Sequence, residues 1–178
     1  YEIKECDWSS DVCSSDLMIQ PFNQMMLFPT ELSLRTTSEG VRLFCHPIKE
    51  ISSLHTRHLS LSGLSVEAAN QQLAQLKTEL VHAVMDLEMD KGLGLEIFYQ
   101  DNPILYYDGN YTKFNGMPYE SERPGAFRFR IEMILDRTSV EGYIDGGKLF
   151  VAEALKPARS SKGLEFRGDL KIHQLDVY

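Results

Sequence analysis

Tryptophan, cysteine and positive charge are scarce in this 178-residue sequence, and long apolar runs are absent. Three cysteines are too few for the disulfide framework of a small secreted domain. Eighteen Lys and Arg residues against 26 Asp and Glu give a net charge of −8, which argues against a nucleic-acid-binding protein. No apolar run approaches the roughly 20 residues of a membrane-spanning helix. The length suits one globular domain, or one domain with a fragment of another.

The first 17 residues show neither a helical nor a strand period. Within them, Asp7–Leu17 nearly repeats Ser-Ser-Asp on either side of Cys13 and resembles the conceptual translation of a sequencing-library adapter. The alternative is a natural linker rich in serine and aspartate. We predict that residues 1–17 are artefactual and disordered, because they have no periodic apolar positions with which to offset their ordering entropy. The authentic N-terminus would then be missing, and Cys45 would be the single cysteine that remains.

The rest of the chain consists mainly of short segments in which apolar and polar residues alternate. Such segments, separated by glycine and asparagine turns, predict an antiparallel β-sandwich. Phe127, Phe129, Ile131, Met133 and Leu135 give the clearest alternation, and we expect all five to face inward. The predicted strands are, in order, 31–34, 41–45, 54–64, 81–89, 93–99, 104–107, 127–135, 140–144, 149–154, 163–167 and 170–177.

Turn and helix signals complete this prediction. Ser38-Glu39-Gly40 joins the first two strands as a hairpin, and Asp145-Gly146-Gly147 predicts another hairpin between 140–144 and 149–154. The single helix candidate is Val66–Leu80, where apolar residues recur at helical spacing and Ser65 can serve as the N-cap.

Two stretches of the sequence resemble glycoside hydrolase family 32, the fructan hydrolases and invertases. Ile134–Phe150, which contains Leu-Asp-Arg-Thr-Ser-Val-Glu followed by a glycine hairpin, is similar to a signature of the C-terminal β-sandwich of that family. Leu27–Thr37, with the segments 40–44 and 47–51, is similar to the part that closes the five-bladed catalytic propeller. Thr138, Gly142 and Thr30 depart mildly from the usual Ser, Val and Arg. The two stretches occur in the order found in the family.

This resemblance implies an all-β fold: a concanavalin-like antiparallel β-sandwich with a short helix and a remnant of a β-propeller. Residues 18–52 would be the propeller remnant and linker, and residues 53–178 the sandwich. The intact bacterial enzyme would hydrolyse β-fructosides such as levan, inulin or sucrose without a cofactor or metal. Its partners would be that substrate, the missing propeller domain and possible homodimer contacts, with no nucleic acid and no membrane span. The family favours a secreted or periplasmic enzyme.

No catalytic residue is assigned. Retaining hydrolysis requires two carboxylates about 5 Å apart. The resemblance places them in motifs of the types Asn-Asp-Pro-Asn-Gly, Arg-Asp-Pro and Glu-Cys. The first two are absent, and Glu5-Cys6 precedes the adapter-like stretch and lies too close to Leu27–Thr37. The fragment itself is therefore expected to be inactive. A free-standing carbohydrate-binding or structural sandwich remains the alternative.

Two further pairs of residues invite a catalytic or metal-binding interpretation. Asp136 and Glu141 could form a carboxylate pair, but we predict that Asp136 opens a turn and that Glu141 lies on a solvated strand face. His55 and His58 have His-x-x-His spacing, but on a strand residues three apart face opposite sides, so joint metal ligation is not expected.

Tyrosines cluster in one loop region, and exposed tyrosine rings can stack on sugars, although buried tyrosines with a bonded hydroxyl are commoner. The cluster consists of Tyr106, Tyr107, Tyr111 and Tyr119. The same region contains Asn110-Tyr111-Thr112, a glycosylation sequon that has meaning only in a eukaryotic secretory route.

Overall fold

The computed structural model describes residues 26–76, 80–89, 94–107, 111–114, 117–120, 127–155 and 163–178. Residues 1–17, predicted to be artefactual, lie outside these ranges. The strands are β1 (Thr30–Thr37), β2 (Gly40–Pro47), β3 (Leu59–Leu64), β4 (Val81–Met89), β5 (Leu95–Tyr99), β6 (Asn102–Tyr107), β7 (Tyr111–Phe114), β8 (Met117–Glu120), β9 (Phe127–Leu135), β10 (Ser139–Ile144), β11 (Leu149–Ala154), β12 (Leu164–Gly168) and β13 (Leu170–Val177). A helix, α1, spans Val66–Leu73, and a 3-10 helix spans Lys49–Leu54.

Two antiparallel sheets form the sandwich. The larger has the strand order β11-β10-β9-β4-β13-β3, and the smaller has the order β12-β5-β6-β7-β8. The inner faces of both sheets contribute to one buried apolar cluster, which includes Met85 and Ile131 from the larger sheet and Ile97 and Phe166 from the smaller. β1 and β2 form a separate two-stranded sheet at the N-terminal side. The predicted all-β sandwich is therefore confirmed.

At the centre of the larger sheet, the alternation of apolar and polar residues correctly predicted which side chains are buried. β4 and β9 pair along their whole length, with Met85 opposite Ile131 and Leu87 opposite Phe129. These four side chains are buried, as predicted, because a strand places every second residue on the same face. The side chain of Phe127 lies outside what the structure describes. The outer face is polar and contains ion pairs such as the one between Arg128 and Asp86.

Helix α1 begins as predicted but ends earlier. The Ser65 hydroxyl accepts a hydrogen bond from the Ala68 amide at 3.3 Å, which is the expected N-cap contact. The helix ends at Leu73 rather than Leu80. After Leu73 the chain forms a tighter turn, in which the Leu76 amide donates to the Leu73 carbonyl, three residues back, instead of four. In the described ranges no helix is long and apolar enough to cross a membrane.

The strand predicted over 54–64 begins only at Leu59. Before it, the Ser52 and Ser53 hydroxyls donate to the carbonyls of Lys49 and Glu50, each three residues earlier. These local bonds favour the 3-10 turn over an extended strand. Residues 55–58 then have no regular secondary structure.

Candidate functional site

The N-terminal hairpin exposes an apolar face. β1 and β2 pair from Thr30 opposite Pro47 to Thr37 opposite Gly40, which confirms the predicted hairpin. The register places four large apolar side chains on one face, each at least half exposed: Leu32 (61%), Leu34 (73%), Val41 (59%) and Leu43 (50%). On the other face Phe44 is buried, with the Arg35 guanidinium 4.6 Å from its ring centroid. Phe44 is therefore covered, while the face that carries these four apolar side chains is open.

A glycine of the β10–β11 turn fastens this hairpin to the sandwich. The Cys45 amide donates to the Gly147 carbonyl at 2.9 Å. Gly147 has a φ of +83°, and a Cβ placed on it would lie 1.8 Å from the Cys45 carbonyl oxygen. Only glycine fits this position, because it combines a left-handed backbone with contact to another main chain. The hairpin turn predicted at Asp145-Gly146-Gly147 is confirmed, and it also serves as a docking point.

Glu141 provides a second attachment, and its predicted position was wrong. Instead of lying on a solvated face, Glu141 is only 5% exposed. One carboxylate oxygen accepts the Phe28 amide at 2.8 Å, and the other accepts the Tyr143 hydroxyl at 3.0 Å. The Tyr143 hydroxyl also lies 3.4 Å from the Thr30 hydroxyl. The outward face of β10 is thus covered by the residues that lead into β1.

Burial controls the ionisation of this cluster. Desolvation raises the pKa of Glu141, although the Phe28 amide and the Tyr143 hydroxyl partly oppose it by favouring the carboxylate. Desolvation likewise raises the pKa of Tyr143, and the neighbouring Glu141 charge adds to the increase. Tyr143 therefore remains a neutral hydrogen-bond donor, and Glu141 and Tyr143 form a fixed anchor for Phe28.

The two stretches that carry the family resemblance meet at this anchor. Phe28 and Thr30 belong to the first, and Glu141, Tyr143 and Gly147 belong to the second. Their contacts join residues 113 positions apart in sequence. No local sequence pattern signals such a contact, since the covering residues come from outside the sheet.

The two candidate carboxylates have separate structural roles. Asp136 is exposed and opens the β9–β10 turn, where one of its oxygens accepts the Arg137 amide and its own amide donates to the Ser139 carbonyl. The predicted turn role of Asp136 is confirmed. The carboxylate oxygens of Glu141 both bind donors within the protein, so the geometry supports anchoring.

A cluster of histidines forms a further polar site. The rings of His55 and His58 both stack on the Tyr178 ring, with centroids 4.0 Å and 4.5 Å away. The premise that these histidines occupy a strand was wrong, because they lie in the irregular segment before β3. Among the described residues, no group of three or more His, Cys, Asp or Glu side chains is placed to hold a metal ion.

Of the four clustered tyrosines, only Tyr106 has a described side chain, and it is partly exposed. The side chains of Tyr107, Tyr111 and Tyr119 lie outside the described residues, as does Asn110. Whether the cluster contacts sugar therefore stays a prediction.

Comparison with known proteins supports the resemblance drawn from the motifs. No family model matches the chain. A levanase from Bacillus subtilis (strain 168) is 24% identical over 192 residues, which cover 93% of this chain but 28% of the levanase. The exo-inulinase of Aspergillus awamori has a TM-score of 0.53 at 18% identity, over 89% of this chain and 36% of that one. A glycoside hydrolase family 32 structure from Bifidobacterium adolescentis has a TM-score of 0.50 at 17% identity, over 86% of this chain and 25% of that one.

These similarities have a consistent pattern. The structures share the fold, and the levanase shares recognisable sequence, so the resemblance to glycoside hydrolase family 32 is confirmed. The chain spans only about a quarter to a third of the length of these three proteins.

Proposed function

We propose that this chain is the C-terminal part of a family 32 glycoside hydrolase that acts on β-fructosides, and that its sandwich supports a catalytic propeller. The observation that carries the proposal is the levanase similarity, which covers nearly all of this chain and 28% of the levanase. Levan, inulin and sucrose are the candidate substrates of the intact enzyme. Residues 18–52 are proposed to belong to the propeller and linker, and residues 53–178 to the sandwich.

The geometry of the hairpin supports a role for the sandwich as the support of a catalytic propeller. Main-chain amides of β2 and of the residue before β1 fasten the hairpin to Gly147 and Glu141. One face of the hairpin nevertheless leaves four large apolar side chains exposed, those of Leu32, Leu34, Val41 and Leu43. Burying a side chain of this size contributes about 1.5–3 kcal/mol. We propose that the missing propeller covers this face. The sandwich would then act as a rigid base that holds the last strands of the propeller in place.

We expect the isolated chain to release no fructose from sucrose, levan or inulin. Hydrolysis requires an acid and a nucleophile about 5 Å apart, one on each side of the scissile bond. Glu141, the buried carboxylate, is already occupied by the Phe28 amide and the Tyr143 hydroxyl. The measurement is fructose release by the purified chain, with an active β-fructosidase added to a parallel reaction as the positive control.

Fructose release that is abolished by replacing one carboxylate of this chain would overturn the proposal. Binding of fructan without turnover would instead be compatible with an accessory sandwich and with a free-standing carbohydrate-binding module. Joining the chain to the propeller of a family 32 enzyme would separate those two, because only an accessory sandwich should increase the stability of the propeller.

The exposed hairpin face is expected to make the isolated chain associate. Leu34 and Leu43 are directly opposite each other on that face, and unpartnered apolar strands promote association. The double variant Leu34→Lys/Leu43→Glu introduces a complementary charged pair and should shift the sedimentation profile towards the 20.3-kDa monomer. Glu31→Lys, on the opposite face of β1, is the control and should change little.

Equal association of the double variant and the unchanged chain would show that this face is not responsible. A discrete dimer that the double variant abolishes would instead assign the face to a second copy of this chain.

A further inference from the structure

Residues 55–58 are held on the outer face of the larger sheet by a set of aromatic and ionisable side chains. His55 and His58 stack on Tyr178 at interplanar angles of 11° and 7°. The Tyr178 ring is well positioned, because the main chains of Tyr178 and His82 exchange two hydrogen bonds of 2.8 Å and 3.1 Å. We call His55, His58, His82 and Tyr178 the histidine clasp.

Three polar contacts complete the clasp. His55 Nε2 and His82 Nδ1 are 2.9 Å apart. His82 Nε2 lies 2.9 Å from a Glu132 carboxylate oxygen on β9. His58 Nε2 lies 2.9 Å from an Asp176 carboxylate oxygen on β13. Each element beneath the segment therefore contributes one ionisable partner: His82 from β4, Glu132 from β9 and Asp176 from β13. Arg57, between the two histidines, is exposed.

The contact between His55 and His82 depends on pH because it needs one shared proton between their ring nitrogens. The Nε2 atom of His82 faces a carboxylate, so it carries a proton and donates to Glu132. A single proton must then lie between His82 Nδ1 and His55 Nε2 for these atoms to form a hydrogen bond. If both imidazoles become cationic, two N–H groups face each other and two like charges lie side by side. The contact therefore tolerates one imidazolium but not two.

We propose that the histidine clasp holds the segment after the hairpin on the sandwich near neutral pH and releases it in acid. Near neutral pH the clasp is closed, and together with Glu141 and Gly147 it holds both ends of the hairpin. In acid the contact between His55 and His82 separates, and residues 55–57 leave the sheet. The hairpin then remains attached through its contacts with Glu141 and Gly147. The inference rests on the clasp geometry and holds whatever covers the exposed hairpin face.

The direction of the pH effect follows from the surroundings of His55. Burial lowers the pKa of His55 below its ordinary value of 6.5, and the charges of His82 and His58 lower it further. The unfolded or released segment therefore binds a proton more readily than the clasped one. Stability from this contact is fully present above pH 6.5 and is lost as pH falls through the lowered pKa. For one proton, the opening equilibrium rises by up to about tenfold per pH unit.

The other half of the clasp should persist in acid. Burial raises the pKa of Asp176, but hydrogen bonds from Ser60, His58 and Gln174 outweigh it, so the net shift is downward. Asp176 thus stays ionised while His55 becomes protonated, so it can still accept the contact from His58 Nε2. Opening is expected to begin at His55 and to stop near His58.

The test is backbone hydrogen exchange of the whole chain at pH 7.5 and pH 5.5, corrected for intrinsic exchange rates. We expect protection in the peptide that contains His55 to fall by up to about tenfold between these values, the limit for uptake of one proton. The reporter is the His55 amide, which bonds to the Ser52 carbonyl in the closed form. His55→Gln should flatten the pH dependence, because an amide can donate to His82 Nδ1 and does not titrate. His58→Gln is the matched control and should retain the dependence.

Two outcomes would overturn the proposal. The first is a peptide whose protection is the same at both pH values, or whose pH dependence survives in His55→Gln. The second needs no variant and so remains decisive if His55→Gln fails to fold: an NMR titration of the unchanged chain in which the His55 ring titrates at or above pH 6.5.

Discussion

Gly147→Ala is expected to detach the N-terminal hairpin from the sandwich. The new methyl group would lie 1.8 Å from the Cys45 carbonyl oxygen, which is far inside van der Waals contact. The residue would also be held at a φ of +83°. A non-glycine residue in the left-handed region costs about 1–2 kcal/mol, and overpacking costs a further 1–3 kcal/mol or so. We therefore expect the free energy of unfolding to fall by up to about 5 kcal/mol.

Gly146→Ala is the matched control for this prediction. Gly146 has a φ of +66°, but a Cβ placed on it meets nothing within 4 Å. Its replacement by alanine should lower the free energy of unfolding only by the cost of the left-handed backbone conformation, about 1–2 kcal/mol. Urea unfolding measures the difference between the two variants, and hydrogen exchange of the Cys45 amide reports detachment directly. Equal losses for both variants, with the Cys45 amide still protected in Gly147→Ala, would show that the close approach is not a constraint.

Gly147 and Glu141 matter because they connect the sandwich to the N-terminal hairpin. Both belong to one hairpin of the larger sheet, and both contact the residues that form the N-terminal hairpin. The proposed supporting role of the sandwich needs such fixed points, because a hinged hairpin could not transmit the position of the sandwich to a neighbouring domain. Loss of either contact should therefore affect a complete enzyme through its domain arrangement, at a distance from the reacting bond.

Local patterns predicted those features of the fold that depend on local physics. The alternation in β4 and β9 was decisive because both strands have one face in the core, and a shift of one residue would expose that face. The β10–β11 turn was predictable because Asp145, Gly146 and Gly147 all adopt positive φ, which few other sequences tolerate. The Ser65 cap was equally local.

The features that sequence reasoning missed depend on distant partners. Glu141 alternates with apolar residues, as a solvated residue would, and only the arrival of Phe28 from 113 positions away buries it. His55 and His58 fall within the segment predicted as a strand over 54–64, but they stack on Tyr178, and His55 contacts His82, in an irregular segment. Helix α1 ends early because its last turn tightens after Leu73. For Glu141 and the two histidines tertiary contacts prevailed over a weak local preference, whereas the early end of α1 is a local effect.

Phe129→Ala is expected to destabilise the sandwich by about 3–5 kcal/mol, the usual loss on removing a buried phenylalanine ring. Phe129 is buried opposite Leu87 in the apolar cluster that both sheets share, and the surrounding strands leave little room for collapse into the cavity. Arg130→Ala, one residue along β9 but on the exposed outer face, is the control and should change stability by less than about 0.5 kcal/mol. Chemical denaturation of both variants decides the orientation of β9. A loss below about 1 kcal/mol for Phe129→Ala, or a larger one for Arg130→Ala, would mean that the opposite face of this strand packs in the core.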